Sequence, residues 1–327
     1  GVGENAVLQL IEEREQNGPF TDIYDLVSRV NLNALNKKNL EAMALAGALD
    51  CFSGIRREQY FATDQKGATF IEALIRYGNN VKTVRTSSRN TLFGEDNGFS
   101  MKYPDPPEAP EWPKLEKLNR EKEVIGIYLS SHPLDDFRLE IETFTSTTLS
   151  ELKELANFLD REVTVAGMVT DTRNGIGKNG KPFNTFTLQD YTDSYRFAVF
   201  DKDSVEFGKY LVNGFFLLVK GRVQKRRNNE NELEFKIKSI NLLSSVRDEL
   251  IKNVTIKVRA ADINQELINQ IKQYIKNNPG ETELRFLVYD PESKISLPLF
   301  SRSIRVRLNN DLTTFLEDHP ALDYKVN

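Results

Sequence analysis

The chain has 327 residues, of which 39% are apolar and 28% charged, with 44 Lys and Arg against 48 Asp and Glu for a net charge of −4. That length accommodates two or three domains with real cores, and the charge balance excludes a global basic field as the means of binding nucleic acid. A single cysteine, Cys51, excludes a disulfide framework and a Cys-based zinc site, and no apolar run is long enough to span a bilayer. The expectation is a cytoplasmic protein without membrane partners, and the opening Gly-Val-Gly, in place of Met, is expected of a piece of a longer protein.

Residues 1–78 read as helical. Val7, Leu10, Ile11 and Arg14 follow a helical period that ends at Gly18-Pro19; Ile23, Leu26, Val27 and Val30 form a second stripe, and Leu40, Met43, Ala44 and Gly47 a third. Residues 79–111 are polar and then Pro-rich (Pro104, Pro106, Pro107, Pro110), which predicts a mobile linker carrying one apolar pair, Leu92-Phe93. Residues 112–159 are expected to be a helical connector. It holds an amphipathic helix over 114–129, stopped by Ser131-His132-Pro133-Leu134, and a short helix over 149–158.

Residues 160–245 switch to period two. Strands are predicted at 163–169, 183–188, 195–200, 215–223 and 233–242, with a helical turn at 207–211, which is the element order of a five-stranded OB barrel. Gly167 is expected where the first strand bends to close the barrel. The long connections 174–182 and 225–231 are the loops that flank an OB ligand groove. Residues 246–327 read as a small α+β domain: alternation at Val254, Ile256 and Val258, a capping box from Asp262 and Gln265 ahead of a helix, strands at 284–288, 295–299 and 304–308, and a last helix at 311–316. The fold class expected is therefore multidomain α and β, with a helical domain, an OB barrel and a terminal α+β domain.

Between Asp160 and Ser245 there are 14 Lys and Arg against 11 Asp and Glu, so the local balance is positive while the rest of the chain is negative. Arg173, Lys178 and Lys181 belong to the first long loop, and Lys225, Arg226 and Arg227 open the second. Phe183 and Phe186 lie on the second strand and Phe197 on the third. Cations that track a backbone, with aromatic rings under bases, are what single-strand binding requires. Strand parity turns Phe186 inward with Leu188 and leaves Phe183 for the groove. At the start of the chain, Gly1-Val2-Gly3-Glu4 before a helix resembles the hairpin of a helix-hairpin-helix motif, in which Gly1 and Gly3 let backbone N–H groups approach a phosphate without reading base sequence. No catalytic constellation is read. The two histidines, His132 and His319, are far apart; no acidic cluster fits a two-metal site; and Gly175-Ile176-Gly177-Lys178 lacks the strand-to-helix context of a P-loop. No metal site and no cofactor are expected.

The order of parts resembles the bacterial DNA polymerase III alpha subunit downstream of its palm and fingers. The resemblance rests on Gly1-Val2-Gly3-Glu4, on Leu35-Asn36-Lys37-Lys38 through Ala46-Gly47-Ala48-Leu49-Asp50, and on Glu123 through Leu134 (EVIGIYLSSHPL). It implies that the acidic polymerase residues lie upstream, so that this piece does not polymerise. It implies a sliding-clamp motif between the helical and OB domains, where Arg89-Asn90-Thr91-Leu92-Phe93 stands; Arg89 departs from the family's Gln, and Leu92 and Phe93 keep the apolar anchor. It also implies that the terminal domain meets the clamp-loader tau subunit. The expected function is non-catalytic: holding duplex and single-stranded DNA and docking the sliding clamp beta. The rivals are a helix-hairpin-helix and OB module of another DNA repair protein, and a scaffold whose barrel binds protein.

Overall fold

The computed structural model describes residues 1–90, 102–226 and 229–327, and its backbone divides into two compact units, Gly1–Pro133 and Leu134–Asn327. The first unit is helical: α1 (Glu4–Asn17), α2 (Ile23–Arg29), α3 (Lys37–Leu45), α4 (Arg57–Phe61), α5 (Phe70–Asn90) and α6 (Lys114–Ile125). Asp22 and Asn36 cap α2 and α3 by accepting from the backbone N–H three residues on, which satisfies donors that a helix start leaves open. Their apolar stripes meet in one core of Ile23, Leu26, Val27, Leu40, Ala44, Leu49, Tyr60, Phe70, Ile71 and Leu74.

The polar stretch after residue 78 departs from the linker expectation at both ends. Residues 79–90 continue α5, a helix of 21 residues. Gly78 lets α5 press against α2, since a Cβ there would lie 2.3 Å from the Val27 carbonyl oxygen. Packing of the first half of α5 thus propagates a helix that composition alone does not announce. Residues 102–113 run in extended form along the helical unit. Tyr103 packs on Tyr24 and Tyr77 with centroids 4.5 and 5.4 Å away, and Trp112 on Phe61 at 5.5 Å. Tyr24 Oη donates to the Pro104 carbonyl (2.9 Å), Gln59 to that of Pro107 (3.0 Å) and Arg56 to that of Ala109 (2.8 Å). A Pro-rich segment has few N–H groups to satisfy, so borrowed donors suffice to seat it.

The expected connector is divided between the units. Its first half belongs to the helical unit, where α6 stops at Gly126 in a left-handed conformation (φ 96°), short of the predicted end. Glu121, on α6, has a side chain only 1% exposed. It accepts from Arg57 (3.2 Å), from the N–H groups of Leu129 (2.6 Å) and Ser130 (2.7 Å), and from the Ser130 hydroxyl (2.8 Å). Burial pushes its carboxyl up, but these donors outweigh burial and hold it below the ordinary glutamate value.

The second unit opens with α7 (Arg138–Phe144) and α8 (Leu149–Leu152) and continues into a five-stranded antiparallel barrel: β1 (Glu162–Ile176), β2 (Pro182–Gln189), β3 (Ser194–Phe200), α9 (Asp201–Phe207), β4 (Phe216–Arg226) and β5 (Asn229–Leu242). The strand order is β3-β2-β1-β4-β5, and rings on the two outer strands, Phe197 and Phe235, approach to 5.4 Å across the seam. Val163, Val165, Phe186, Leu188, Phe197, Val199, Leu217 and Val219 fill the interior, as their period-two spacing requires. The irregularity in β1 falls between Val169 and Asp171, not at Gly167. Gly167 instead permits close passage of β2, because a Cβ there would lie 2.8 Å from the Gln189 carbonyl oxygen. Leu134, Phe137, Ile141 and Phe144 cover part of the barrel's outside over Ala166, Phe216 and Leu218.

After α10 (Leu243–Leu250) come β6 (Asn253–Arg259), α11 (Gln265–Asn277), β7 (Pro279–Asp290), β8 (Ile295–Val306), α12 (Asn310–Asp318) and β9 (Leu322–Val326). They form a sheet of order β8-β7-β6-β9 in which only β6 and β7 are parallel, joined by α11 as the crossover. Asn264, not Asp262, caps α11 by accepting from Leu267 N–H (2.9 Å); the two predicted strands at 295–308 are one, and β9 was not anticipated. Arg247 on α10 ties the parts together: it donates to the buried Glu140 carboxylate of α7 (2.5 and 3.1 Å), to the Leu308 carbonyl (3.2 Å) and to Asn310 (2.9 Å).

Candidate nucleic-acid interface

The outer face of β1, β2 and β3 is a small grid set by register. Antiparallel pairing aligns Gly175, Phe183 and Phe200 in one row, Arg173, Thr185 and Ala198 in the next, and Asp171, Thr187 and Arg196 in the third. Every second residue of each strand points here; of those between them, Phe186 and Leu188 on β2 and Phe197 and Val199 on β3 are buried in the core, whereas Asn174 and Ile176 at the end of β1 are exposed. Phe186 and Phe197 are buried and stacked on each other, with centroids 5.2 Å apart and rings inclined by 20°. Phe183, half-buried, backs on Gly175, where a Cβ would meet its ring at 2.9 Å, and its centroid lies 6.4 Å from that of Phe200. Phe200 is 55% exposed. Between the rings and the two arginines lie only Thr185, Thr187 and Ala198, so the floor is shallow.

The predicted cations fall into two groups. Arg173 is on the grid, 3.6 Å from Asp171, and Lys178 and Lys181 sit in the β1–β2 turn. Lys181 is held by Asp201 at 2.7 Å, where Asp201 takes a left-handed conformation (φ 54°) at the start of α9. Lys178 makes no ion pair among the described residues. Lys225 and Arg226 end β4, and Arg226 pairs with Glu232 at 2.5 Å. Register puts them beyond the Glu162 end of β1, and the β1–β2 turn beyond the Ile176 end, so strand pairing does not bring the two groups onto one row. Arg227 lies outside the described residues, as do Leu92 and Phe93; Arg89 is on the last turn of α5, its side chain outside them. Gly3 precedes α1 in ordinary extended conformation, with no side-chain cap and open space where its Cβ would be. Gly1 lies against α3, where a Cβ would come within 2.7 Å of the Ala42 Cβ.

Two residues on this face were missed by sequence reasoning, Arg196 and Phe200. The signal was available: on the third strand, Arg196, Ala198 and Phe200 alternate with Phe197 and Val199, whose parity matches the core. Arg196 donates to the Thr185 hydroxyl (3.1 Å) and has no carboxylate partner among the described residues. The other half of the outer surface differs. There Glu162 sits between Lys220 (3.0 Å) and Lys238, Arg222 lies 3.7 Å from Asp160, and Lys236 pairs with Asp203. Hydrogen bonds from Lys238 and Lys220 pull the Glu162 carboxyl down to about 2. Asp190 and Asp193 organise their turn, Asp190 accepting from the N–H groups of Thr192 (2.7 Å) and Asp193 (2.9 Å). Among the described residues no group of three His, Cys, Asp or Glu side chains is placed to hold a metal, and no helix is long and apolar enough to cross a membrane.

Comparison with known proteins follows the same division of the chain. Residues 1–60 match the family described as helix-hairpin-helix motif, residues 163–243 that of the OB-fold nucleic acid binding domain, and residues 254–327 that of the DNA polymerase III alpha subunit, C-terminal domain. The chain is similar, along most of its length, to the C-terminal region of the DNA polymerase III alpha subunit. Curated alpha subunits align along most of it: 25% identity over 307 residues for Vibrio cholerae, 28% over 322 for Campylobacter jejuni and 26% over 340 for Pseudomonas fluorescens. These alignments cover 91%, 88% and 99% of this chain, but only 25%, 26% and 28% of the respective alpha subunits. The chain therefore spans about a quarter of the length of these relatives.

Proposed function

We propose that this region supplies DNA binding and partner docking, without catalysis, to a replicative polymerase alpha subunit of the cytoplasm. The observation that carries the reading is the outer face of β1–β2–β3, where two arginines and two phenylalanines border a floor of short side chains. Exposed rings offer any unpaired base a stacking surface, and cations beside them follow the backbone. Duplex DNA keeps its bases stacked on one another and gains nothing from the rings. Arg173, Lys178, Lys181 and Phe183 are assigned to this face, and Lys225, Arg226 and Arg227, at the far end of β4, to the same bound strand.

The helical unit is assigned to duplex phosphates through the backbone at Gly1 and Gly3. Arg89, Leu92 and Phe93 are assigned to the sliding clamp beta, and the terminal α+β domain to the tau subunit. Polymerisation is assigned to the part of the alpha subunit outside this chain. The test is binding of labelled oligothymidine and of a hairpin duplex across a salt series. Tighter binding of the single strand, weakening steeply with salt, is expected. Equal affinity for both, or no salt dependence, removes the assignment of the barrel and favours a protein-binding scaffold. Primer extension by the purified chain would remove the non-catalytic assignment.

A further inference from the structure

Resting on the reading of the barrel as a single-strand binder, we infer that Phe200 and Arg196 of β3 are its principal nucleotide contacts, with Phe183 serving as the support beside Phe200. The ligand is an unpaired nucleobase with its flanking phosphodiester. One face of the Phe183 ring is taken up by Gly175, and its half-buried position leaves little of it for a base. Phe200 has more than half of its surface free and is buttressed by Phe183 on the neighbouring strand. The backbone that follows Phe200 is fixed by the left-handed Asp201, which Lys181 holds from across the β1–β2 turn. Lys181 therefore acts as a strut for the ring, its charge already engaged.

The cations of the face divide in the same way. Arg173 has Asp171 and Lys181 has Asp201, so the charge that either offers a phosphate is partly offset by a carboxylate. Among the described residues Arg196 has only a hydroxyl as partner, which orients the guanidinium and leaves its charge without a carboxylate. Arg196 and Phe200 are four positions apart on one strand, about 13 Å by strand rise, with Ala198 between them on the same face. Nothing tall stands in that interval, so a strand crossing the face meets the ring at one end and the guanidinium at the other.

The experiment is fluorescence anisotropy of labelled oligothymidine with the full chain, across a salt series, alongside thermal melting. Phe200→Ala is expected to weaken binding by about five- to 150-fold with an unchanged salt slope. Phe200→Leu, which keeps apolar bulk without the aromatic face, is expected to lose most of that factor, and Phe200→Trp to restore it. Arg196→Gln is expected to weaken binding and flatten the slope of log affinity against log salt by about 0.7. Phe183→Ala should cost less affinity than Phe200→Ala. If Phe200→Leu or Arg196→Gln binds as the parent does, while the parent keeps its salt-dependent preference for single strands, the inference is overturned and the reading of the barrel stands. If the parent shows no such preference, both fail.

Discussion

Two pairs of phenylalanines span the same two strands of the barrel and have opposite fates. Phe186 and Phe197 are stacked and sealed in the core, whereas Phe183 and Phe200 lie on the outside with one ring half-buried and the other mostly free. The four residues share chemistry, strands and neighbourhood. What separates them is parity along the strand, which reverses at every residue, so an odd offset turns a core ring into a surface one. The first pair therefore governs stability. The second, released from packing, is the pair available to a ligand.

The sharpest way to break this comparison is to truncate one ring of each kind. Phe186→Ala is expected to destabilise the barrel by about 3–5 kcal/mol, through lost burial and the cavity left behind, measured by urea unfolding. Phe183→Ala should cost about 1 kcal/mol, since it forfeits a cross-strand aromatic contact and partial burial. Phe200→Ala should cost about 0.5 kcal/mol, in the range of exposed cross-strand pairs. A Phe200→Ala protein as unstable as Phe186→Ala would mean that the outer pair is structural after all.

Smaller effects sharpen the polar side of the same face. Lys181→Gln should change the salt slope of single-strand binding less than Arg196→Gln does, because Asp201 already engages Lys181. Asp201→Asn, which still tolerates a left-handed backbone, should steepen that slope by freeing Lys181. On the other half of the barrel surface, the Glu162 carboxyl is depressed from 4.5 to about 2 by Lys238 and Lys220. A depressed carboxyl contributes stability that is fully present above its unfolded value and is lost as pH falls through the folded one. The contribution should therefore fade between about pH 4.5 and 2, and Glu162→Gln should flatten the acid limb of a stability profile in that window.

Much of the barrel was legible because β-structure writes its faces into alternation. The strands at 163–169 and 195–200 carry an inward row that burial alone explains, and the same alternation marked Phe183 as outward. The helical stripes at Ile23–Val30 and Leu40–Ala44 were legible for the equivalent reason at period 3.6. The extension of α5 to Asn90 was not, since Val81 and Val84, which continue the spacing of Leu74 and Tyr77, stand alone among polar residues, and the rest of 79–90 is helical by continuation from a packed first half. The seating of residues 102–113 was not, because its hydrogen bonds come from Tyr24, Arg56 and Gln59, far away in sequence.

The sequence by itself determined the kinds of element, their order, and which residues of a strand share a face, because those follow from local periodicity and from the angles that glycine and proline impose. Only the tertiary structure decided which cations keep an uncompensated charge. Lys181 and Arg173 read from the sequence as phosphate contacts, and Arg196 read as nothing in particular. The fold brings Asp201 to Lys181 from 20 residues away, turns Asp171 toward Arg173, and leaves Arg196 with a threonine hydroxyl. Charge is a property of the residue. Its availability depends on what the chain folds against it, and no local pattern encodes that.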